Sequence, residues 1–439
     1  MGKFLTLAVF LSVICHMFVF EQGLGGDGWG YYAIVESVVF DGDLDLNNNV
    51  YGVYNGFKKS SDGRWITQYP PGLAIMDAPF VLLSQVLFGS IVIPREAVDS
   101  HHVYKNVPNI VLIRSMGVVL AHNFYTLLGL VLLFLLLLKS GFSDYIASGL
   151  VFVGYFSSPL HFYAQSGMSH ADSFFMLVLL LYLFEKYLDR HGSRQLFLIG
   201  MISGLASAVR LPNVMIFFVV LVFLFFLDGR IGKIKSVSLL SLGFLSVVWV
   251  VPVFYLIHSG SFYPGYSSGL EFNRLPALNI LFSLRRGFFW FYPVFLLVFP
   301  GIFLHLKHSD RKTKIVGFFA GSCLAVMVVL YGYFSEWFNP GSYTQRYLTG
   351  AVPFFIFCMA PCFKMKGKSF VIVLLFTVFT LLYSYSLFLL SISRKLNFPN
   401  GEAWALYITD FLYYFKQNLT IKDIFDGIKE NLLFLKQMS

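Results

Sequence analysis

Charge is what this sequence has least of. Only 13% of its 439 residues are Asp, Glu, Lys or Arg, against roughly 25% in a soluble domain. Its mean hydropathy is +0.71, and 57% of its residues are hydrophobic. That balance excludes a disordered chain, a collagen-like or coiled-coil rod, and a cytosolic enzyme. Cysteine is also scarce. The four present, Cys15, Cys323, Cys358 and Cys362, all lie in apolar runs, so neither a disulfide framework nor a zinc-thiolate site is expected. Cys358 and Cys362 share a helix face and read as core packing. No internal repeat is evident.

Long apolar stretches and aromatics, 51 Phe and 25 Tyr, fill the space that charge leaves. Ile110–Leu138, Val237–Ile257 and Phe370–Leu390 are each long enough to cross ~30 Å of hydrocarbon as helices. The formal net charge is +9, but its sources cluster in four short segments between apolar runs. These hold Lys186, Arg190 and Arg194; Arg230, Lys233 and Lys235; Lys307, Arg311, Lys312 and Lys314; and Lys364, Lys366 and Lys368. This is the positive-inside pattern, so the charge reports orientation and implies no nucleic-acid partner.

The pattern predicts an all-α polytopic membrane protein with about 11–13 transmembrane helices. Residues 1–20 form the first span, a retained one rather than a cleaved signal peptide. Residues 21–109 form a long external loop with juxtamembrane helices, 110–392 the multi-span bundle, and 393–439 an external tail. Gly72–Ile93 is apolar enough to cross, yet counting it as a span puts the Lys139 turn on the wrong side. It is therefore read as a juxtamembrane or re-entrant helix.

Polar residues crowd the external side. After the first span, Gly26-Asp27-Gly28-Trp29-Gly30-Tyr31-Tyr32 holds one carboxylate just above the headgroups, and its glycines permit a sharp turn. Asp27 suits a general base, and equally an N-cap for the helix that follows. Asp41-Gly42-Asp43-Leu44-Asp45 has the oxygen density of a calcium loop but lacks the downstream Glu, so a solvated turn is favoured. Tyr69-Pro70-Pro71-Gly72 reads as a helix start. His170 and Asp172 stand at another membrane boundary, where they can bind a metal or phosphate with Asp27, or where Ser169 or Asp172 can cap a helix. Arg210, Arg285, Arg286 and Arg346 all fall outside, against the positive-inside trend, and guanidinium groups there fit a phosphate bidentately. Trp337 precedes the last of these, in Trp337-Phe338-Asn339-Pro340-Gly341.

At these residues the chain resembles the C-type membrane glycosyltransferase superfamily, in particular the branch of protein O-mannosyltransferases and lipid A aminoarabinose transferases. The match runs from Gly26-Asp27 with Tyr31-Tyr32 through Asp41-Gly42-Asp43-Leu44-Asp45-Leu46, Tyr69-Pro70-Pro71-Gly72 and Ala171-Asp172. It continues with Arg210-Leu211-Pro212, Arg286-Gly287-Phe288 and Gln345-Arg346-Tyr347. The resemblance implies catalytic roles for Asp27 and Asp172, and donor-phosphate binding by Arg346 with Arg210, Arg285 and Arg286. It implies a sugar or acceptor pocket from Tyr31, Tyr32, His170 and Trp337, and allows a divalent metal held by Asp27, His170 and Asp172. The implied reaction is inverting transfer from a polyprenyl-phosphate sugar to a lipid, polysaccharide or protein hydroxyl on the outer face of a membrane, expected to be a bacterial inner membrane. The alternative is a carrier that flips a lipid-linked sugar. Where the protein mannosyltransferases have an Asp-Glu pair this chain has a lone Asp27, which points away from a protein acceptor. The short stretch after Ser391 leads one to expect no large external acceptor domain.

Overall fold

The computed structural model describes residues 2–392 other than 20–23, 25, 52–56, 61, 94–106, 228–231, 263–268, 273–275, 284–285, 308–309 and 338–342. Arg285 and the tail from 393 onward, with the 393–439 assignment, lie outside the described residues. The protein is an all-α polytopic membrane protein. Among the described residues, five helices are long and apolar enough to cross a membrane: Asn109–Lys139, Lys233–Ser259, Arg311–Gly332, Arg346–Lys364 and Lys368–Leu389. Six shorter apolar helices accompany them, from Gly2–Phe18 to Pro293–Lys307. Among the described residues the one sheet is a hairpin of β1 (Phe57–Lys59) and β2 (Trp65–Thr67) in the long first loop. The Asp41–Asp45 segment is the solvated turn. Asp41 accepts from Asn48 and Asn49, and Asp43 from Ser37 and the Asp45 amide.

In chain order the elements that position the site are α1 (Gly2–Val19), α2 (Gly26–Glu36), α3 (Gly72–Phe88), α4 (Asn109–Lys139), α5 (Asp144–Phe156) and α6 (His170–Arg190). They continue with α7 (Ser193–Val209), α8 (Val214–Leu227), α9 (Lys233–Val248), α10 (Val250–Ser259), α11 (Val298–Lys307) and α12 (Arg311–Gly332), and end with α13 (Val352–Met359) and α14 (Lys368–Ile392). One end of the bundle is tied by charge. Lys139 of α4 reaches Glu185 at 2.5 Å and Asp189 at 2.9 Å, both on α6, while Lys312 of α12 reaches the same two at 2.5 and 2.6 Å. This is the end that carries the basic segments.

Within Gly72–Ile93 the helix is α3, Gly72–Phe88. α3 lies antiparallel to α4, with Ser84 bonded to the Ile113 carbonyl and Tyr125 donating to the Met76 carbonyl. Its partners thus fall between the start and the middle of α4, and α3 stays away from the Lys139 end. Its free face carries exposed Leu82, Val86 and Leu87, suited to lipid.

In hydrocarbon, helices gain little from excluding water from one another, so close backbone approach carries more of the packing. α7 and α9 meet this way. A Cβ at Gly200 would lie 2.1 Å from the Leu240 carbonyl oxygen, and one at Gly243 would lie 2.1 Å from that of Phe197. Backbone atoms cannot move aside as a side chain can. Gly243→Leu is therefore expected to destabilise the bundle by about 2–3 kcal/mol, read as a lowered midpoint in thermal unfolding of the detergent-solubilised protein. An unchanged midpoint would refute this crossing.

The apolar run Phe288–Leu306 does not form one helix, because Pro293 removes an amide and its ring blocks the preceding turn. The structure forms a short turn at Phe288–Phe291, a 3-10 stretch at Pro293–Leu297, and then α11. The carbonyls released by the break are satisfied by α14, where Tyr383 donates to Trp290 at 3.0 Å and Ser384 to Phe291 at 2.8 Å. Buried in a bilayer, such carbonyls need internal partners.

Candidate functional site

α6 is 21 residues long, about 31 Å at 1.5 Å per residue. Arg190 is at its charged-network end and His170 at the other. The polar residues of the long first loop assemble around this second end.

Asp27 sits in the first turn of α2. Gly28 next to it packs so closely on the turn before α6 that a Cβ would meet the Ser166 and Gly167 carbonyl oxygens at 3.0 Å. A side chain there would push α2 off the turn and move Asp27. The Asp27 carboxylate forms an ion pair with Arg346 at 2.9 Å, and the two side chains are 30% and 19% exposed, so the pair can be reached from outside. Tyr69 hydrogen-bonds the same carboxylate, and its ring stacks on Tyr31 at 4.3 Å. The Tyr31 hydroxyl donates to Ser169 at 3.0 Å. Burial pushes the Tyr31 phenol up to about 12. Burial, and next the Asp27 charge, raises that of Tyr69 well above its ordinary value. Both hydroxyls therefore stay protonated and remain donors at neutral pH.

Arg210 follows α7 and is held by contacts on several sides. Its guanidinium donates to His170 Nδ1 and lies over the Tyr331 and Tyr347 rings at 5.0 and 5.5 Å. Arg346 lies 5.9 Å from the Tyr347 ring centre, so the two guanidinium groups share one aromatic wall. Tyr163 donates to the Tyr343 carbonyl at 2.7 Å and lies in the electrostatic field of Arg346, Arg286 and Asp27. Buried Gln345 donates to the carbonyls of Trp337 at 2.9 Å and Arg286 at 3.4 Å. As the residue before Arg346, it ties the Trp337 and Arg286 backbones to the start of the Arg346 turn. The arrangement is a partly open acid–guanidinium pair, backed by a second guanidinium and phenol donors. It can accept an anion and, beside it, a proton.

Of the residues singled out by sequence, Asp27, Arg346, Arg210, Arg286, His170 and Tyr31 come together here. Tyr32 does not. Successive residues on a helix point about 100° apart, and Tyr32 bonds instead to Glu36, itself paired with Arg114. Asp172 also points elsewhere, to His122 at 3.1 Å. Trp337 is buried, and its carbonyl serves Gln345. Neither carboxylate is an N-cap residue: Asp27 and Asp172 lie within the first turns of α2 and α6, and Ser169, the N-cap of α6, makes no side-chain cap. The expected metal set of Asp27, His170 and Asp172 does not fit a cation. Two of its members face guanidinium groups, and among the described residues the metal-competent donors that converge are Asp77, His122 and Asp172. Sequence reading passed over Asp77 and His122, and treated Tyr69 only as part of a helix start and a motif. The signal for the first two was an ionisable residue inside an apolar run; Tyr163 carried none.

No protein-family model matches the chain, and no curated protein matches it by sequence. Solved structures do. ArnT from Cupriavidus metallidurans bound to undecaprenyl phosphate superposes with a TM-score of 0.56, at 14% identity, over 99% of this chain and 75% of that one. The same protein in the apo state gives 0.53 at 14% identity, over 84% and 62%. The Archaeoglobus fulgidus oligosaccharyltransferase AglB, in complex with an inhibitory peptide and a dolichol-phosphate, gives 0.52 at 14% identity, over 99% and 60%. The chain has the C-type glycosyltransferase fold. It spans 60–75% of the length of these solved structures. With this fold assigned, the acid–guanidinium cluster lies at the end of the bundle opposite the basic segments.

Proposed function

We propose that this protein is an inverting glycosyltransferase that moves a hexosyl or pentosyl unit from a polyprenyl-phosphate donor to a hydroxyl acceptor. The observation that carries the reading is the partly exposed Asp27–Arg346 pair at 2.9 Å. A phosphate arriving there competes with the carboxylate for the guanidinium, which prefers a bidentate oxyanion. Arg346 turns to the phosphate, and Asp27 is left free beside the anomeric carbon. The acceptor oxygen attacks that carbon from the face opposite the phosphate and passes its proton to Asp27. The bond from the anomeric carbon to the phosphate oxygen breaks, and its electron pair leaves with the polyprenyl phosphate. Arg346 and Arg210 stabilise the charge that develops on the leaving group, and Arg286 adds its field. The Tyr31 and Tyr69 hydroxyls orient the sugar and the carboxylate. No step uses a metal at Asp27.

The basic segments sit at the other end of α6, and the positive-inside rule assigns that end to the cytoplasm. This supports an active site on the outer face; the membrane we propose is a bacterial inner membrane, in keeping with the compact architecture. ArnT with undecaprenyl phosphate and AglB with dolichol-phosphate support a lipid-phosphate donor in the same fold. In proteoliposomes supplied with a radiolabelled polyprenyl-phosphate sugar and a crude envelope acceptor, the protein is expected to release free polyprenyl phosphate as label enters the acceptor. Movement of intact donor across the bilayer without release would overturn the transferase reading in favour of a carrier.

A further inference from the structure

In the second turn of α3, midway along α4 and in the first turn of α6, three ionisable side chains converge in a part of the bundle that water does not reach. His122 Nε2 lies 3.1 Å from Asp172 Oδ2 and 3.4 Å from Asp77 Oδ2, and all three residues are 0% exposed. The four carboxylate oxygens have no hydrogen-bond partner among the described residues. Tyr125, whose charge interactions with Asp77 and Asp172 place it near them, gives its hydroxyl to the Met76 carbonyl instead. Thr126, one turn beyond His122 on the same face of α4, is likewise fully buried, and its hydroxyl has no partner. Two carboxylates against one imidazole in a dry interior cannot both stay ionised unless a cation joins them, and their oxygens lack donors among the described residues, a costly arrangement in a membrane.

We propose that Asp77, His122 and Asp172 bind a zinc-like divalent transition-metal ion. Two carboxylates and a neutral imidazole around a divalent cation sum to zero charge, so both acids can stay ionised there and all their oxygens gain a partner charge. The spacing suits such an ion. Bonds of about 2.0–2.1 Å in a tetrahedron set donor atoms roughly 3.3 Å apart, close to the 3.1 and 3.4 Å from His122 Nε2 to the two carboxylates, and all three donors lie within 4.8 Å of one another. An imidazole among the donors favours zinc over magnesium or calcium, which take oxygen ligands. The fourth position falls to a water or to the Thr126 hydroxyl. The ion would staple the α3–α4 hairpin to the first turn of α6. That turn carries His170, so the staple would also hold Arg210 in place. This site is distinct from the Asp27 cluster, whose acid and histidine are taken by Arg346 and Arg210.

The test uses the full-length protein in detergent, stripped with a chelator and dialysed against zinc chloride. One zinc per chain by mass spectrometry, and a rise in the unfolding temperature on adding zinc, are expected, since an ion that binds only the folded state stabilises it. Asp77→Asn and His122→Gln, which nearly preserve shape, should each weaken zinc binding by about tenfold or more, while Asp27→Asn keeps one zinc. X-ray absorption of the zinc-loaded wild type, which needs no variant to fold, should show one imidazole with oxygen donors and no sulfur. Absence of zinc and of any thermal shift would overturn the proposal. So would zinc retained at full affinity by both Asp77→Asn and His122→Gln, zinc lost from Asp27→Asn alone, or a spectrum with two imidazoles or a sulfur.

Discussion

Asp27→Asn is expected to lower sugar transfer by about 10²–10⁴-fold while binding polyprenyl phosphate at least as tightly as the wild type. Both halves follow from the ion pair. An amide has the shape of the carboxylate but cannot take the acceptor's proton, so the chemical step loses its base. The same change removes the anion that competes with donor phosphate for Arg346, which frees the guanidinium. Turnover and binding therefore move in opposite directions, a signature that simple misfolding does not produce. The measurements are label transfer in proteoliposomes and equilibrium binding of a radiolabelled polyprenyl phosphate. Wild-type transfer by the variant would remove Asp27 from the mechanism, and a large loss of binding would assign it to the donor site instead.

Arg346→Ala is expected to raise the dissociation constant for polyprenyl phosphate by roughly 30-fold, the effect of losing about 2 kcal/mol of charged hydrogen bonding. It should also depress transfer further, because the leaving phosphate carries more charge than the bound ester. Arg346→Lys should restore part of the binding but less of the rate, since an ammonium is a point charge without the planar fork. Arg210 lies against the same Tyr347 ring and limits the loss in either variant. Unchanged affinity in Arg346→Ala would move the phosphate site away from the Asp27 pair.

Composition alone sufficed for the membrane class, because only 13% of the residues are charged and long apolar runs recur. The clustering of lysines beside Arg190, Arg230, Arg311 and Lys364 supplied the expected sidedness. The order of Gly26-Asp27, Tyr69-Pro70-Pro71-Gly72, Ala171-Asp172 and Gln345-Arg346-Tyr347 pointed to the fold that the solved structures bear out. These signals are local or additive along the chain, so they need no knowledge of which helix touches which.

What the sequence by itself determined about this protein is thus a bundle of apolar helices with its polar chemistry gathered at one end. Tertiary structure decided which polar residues meet. Tyr31 turns to the Asp27 site and Tyr32 to Glu36, since neighbours on a helix diverge by about 100° and only packing fixes which face turns inward. Asp172 stands two residues from His170, yet it joins Asp77 and His122 because α3 folds back along α4 between its start and its middle. Asp27 and Arg346, near opposite ends of the described chain, touch only when the whole bundle has closed. Side-chain direction and helix pairing are set by contacts between segments remote in sequence, and no local pattern records them.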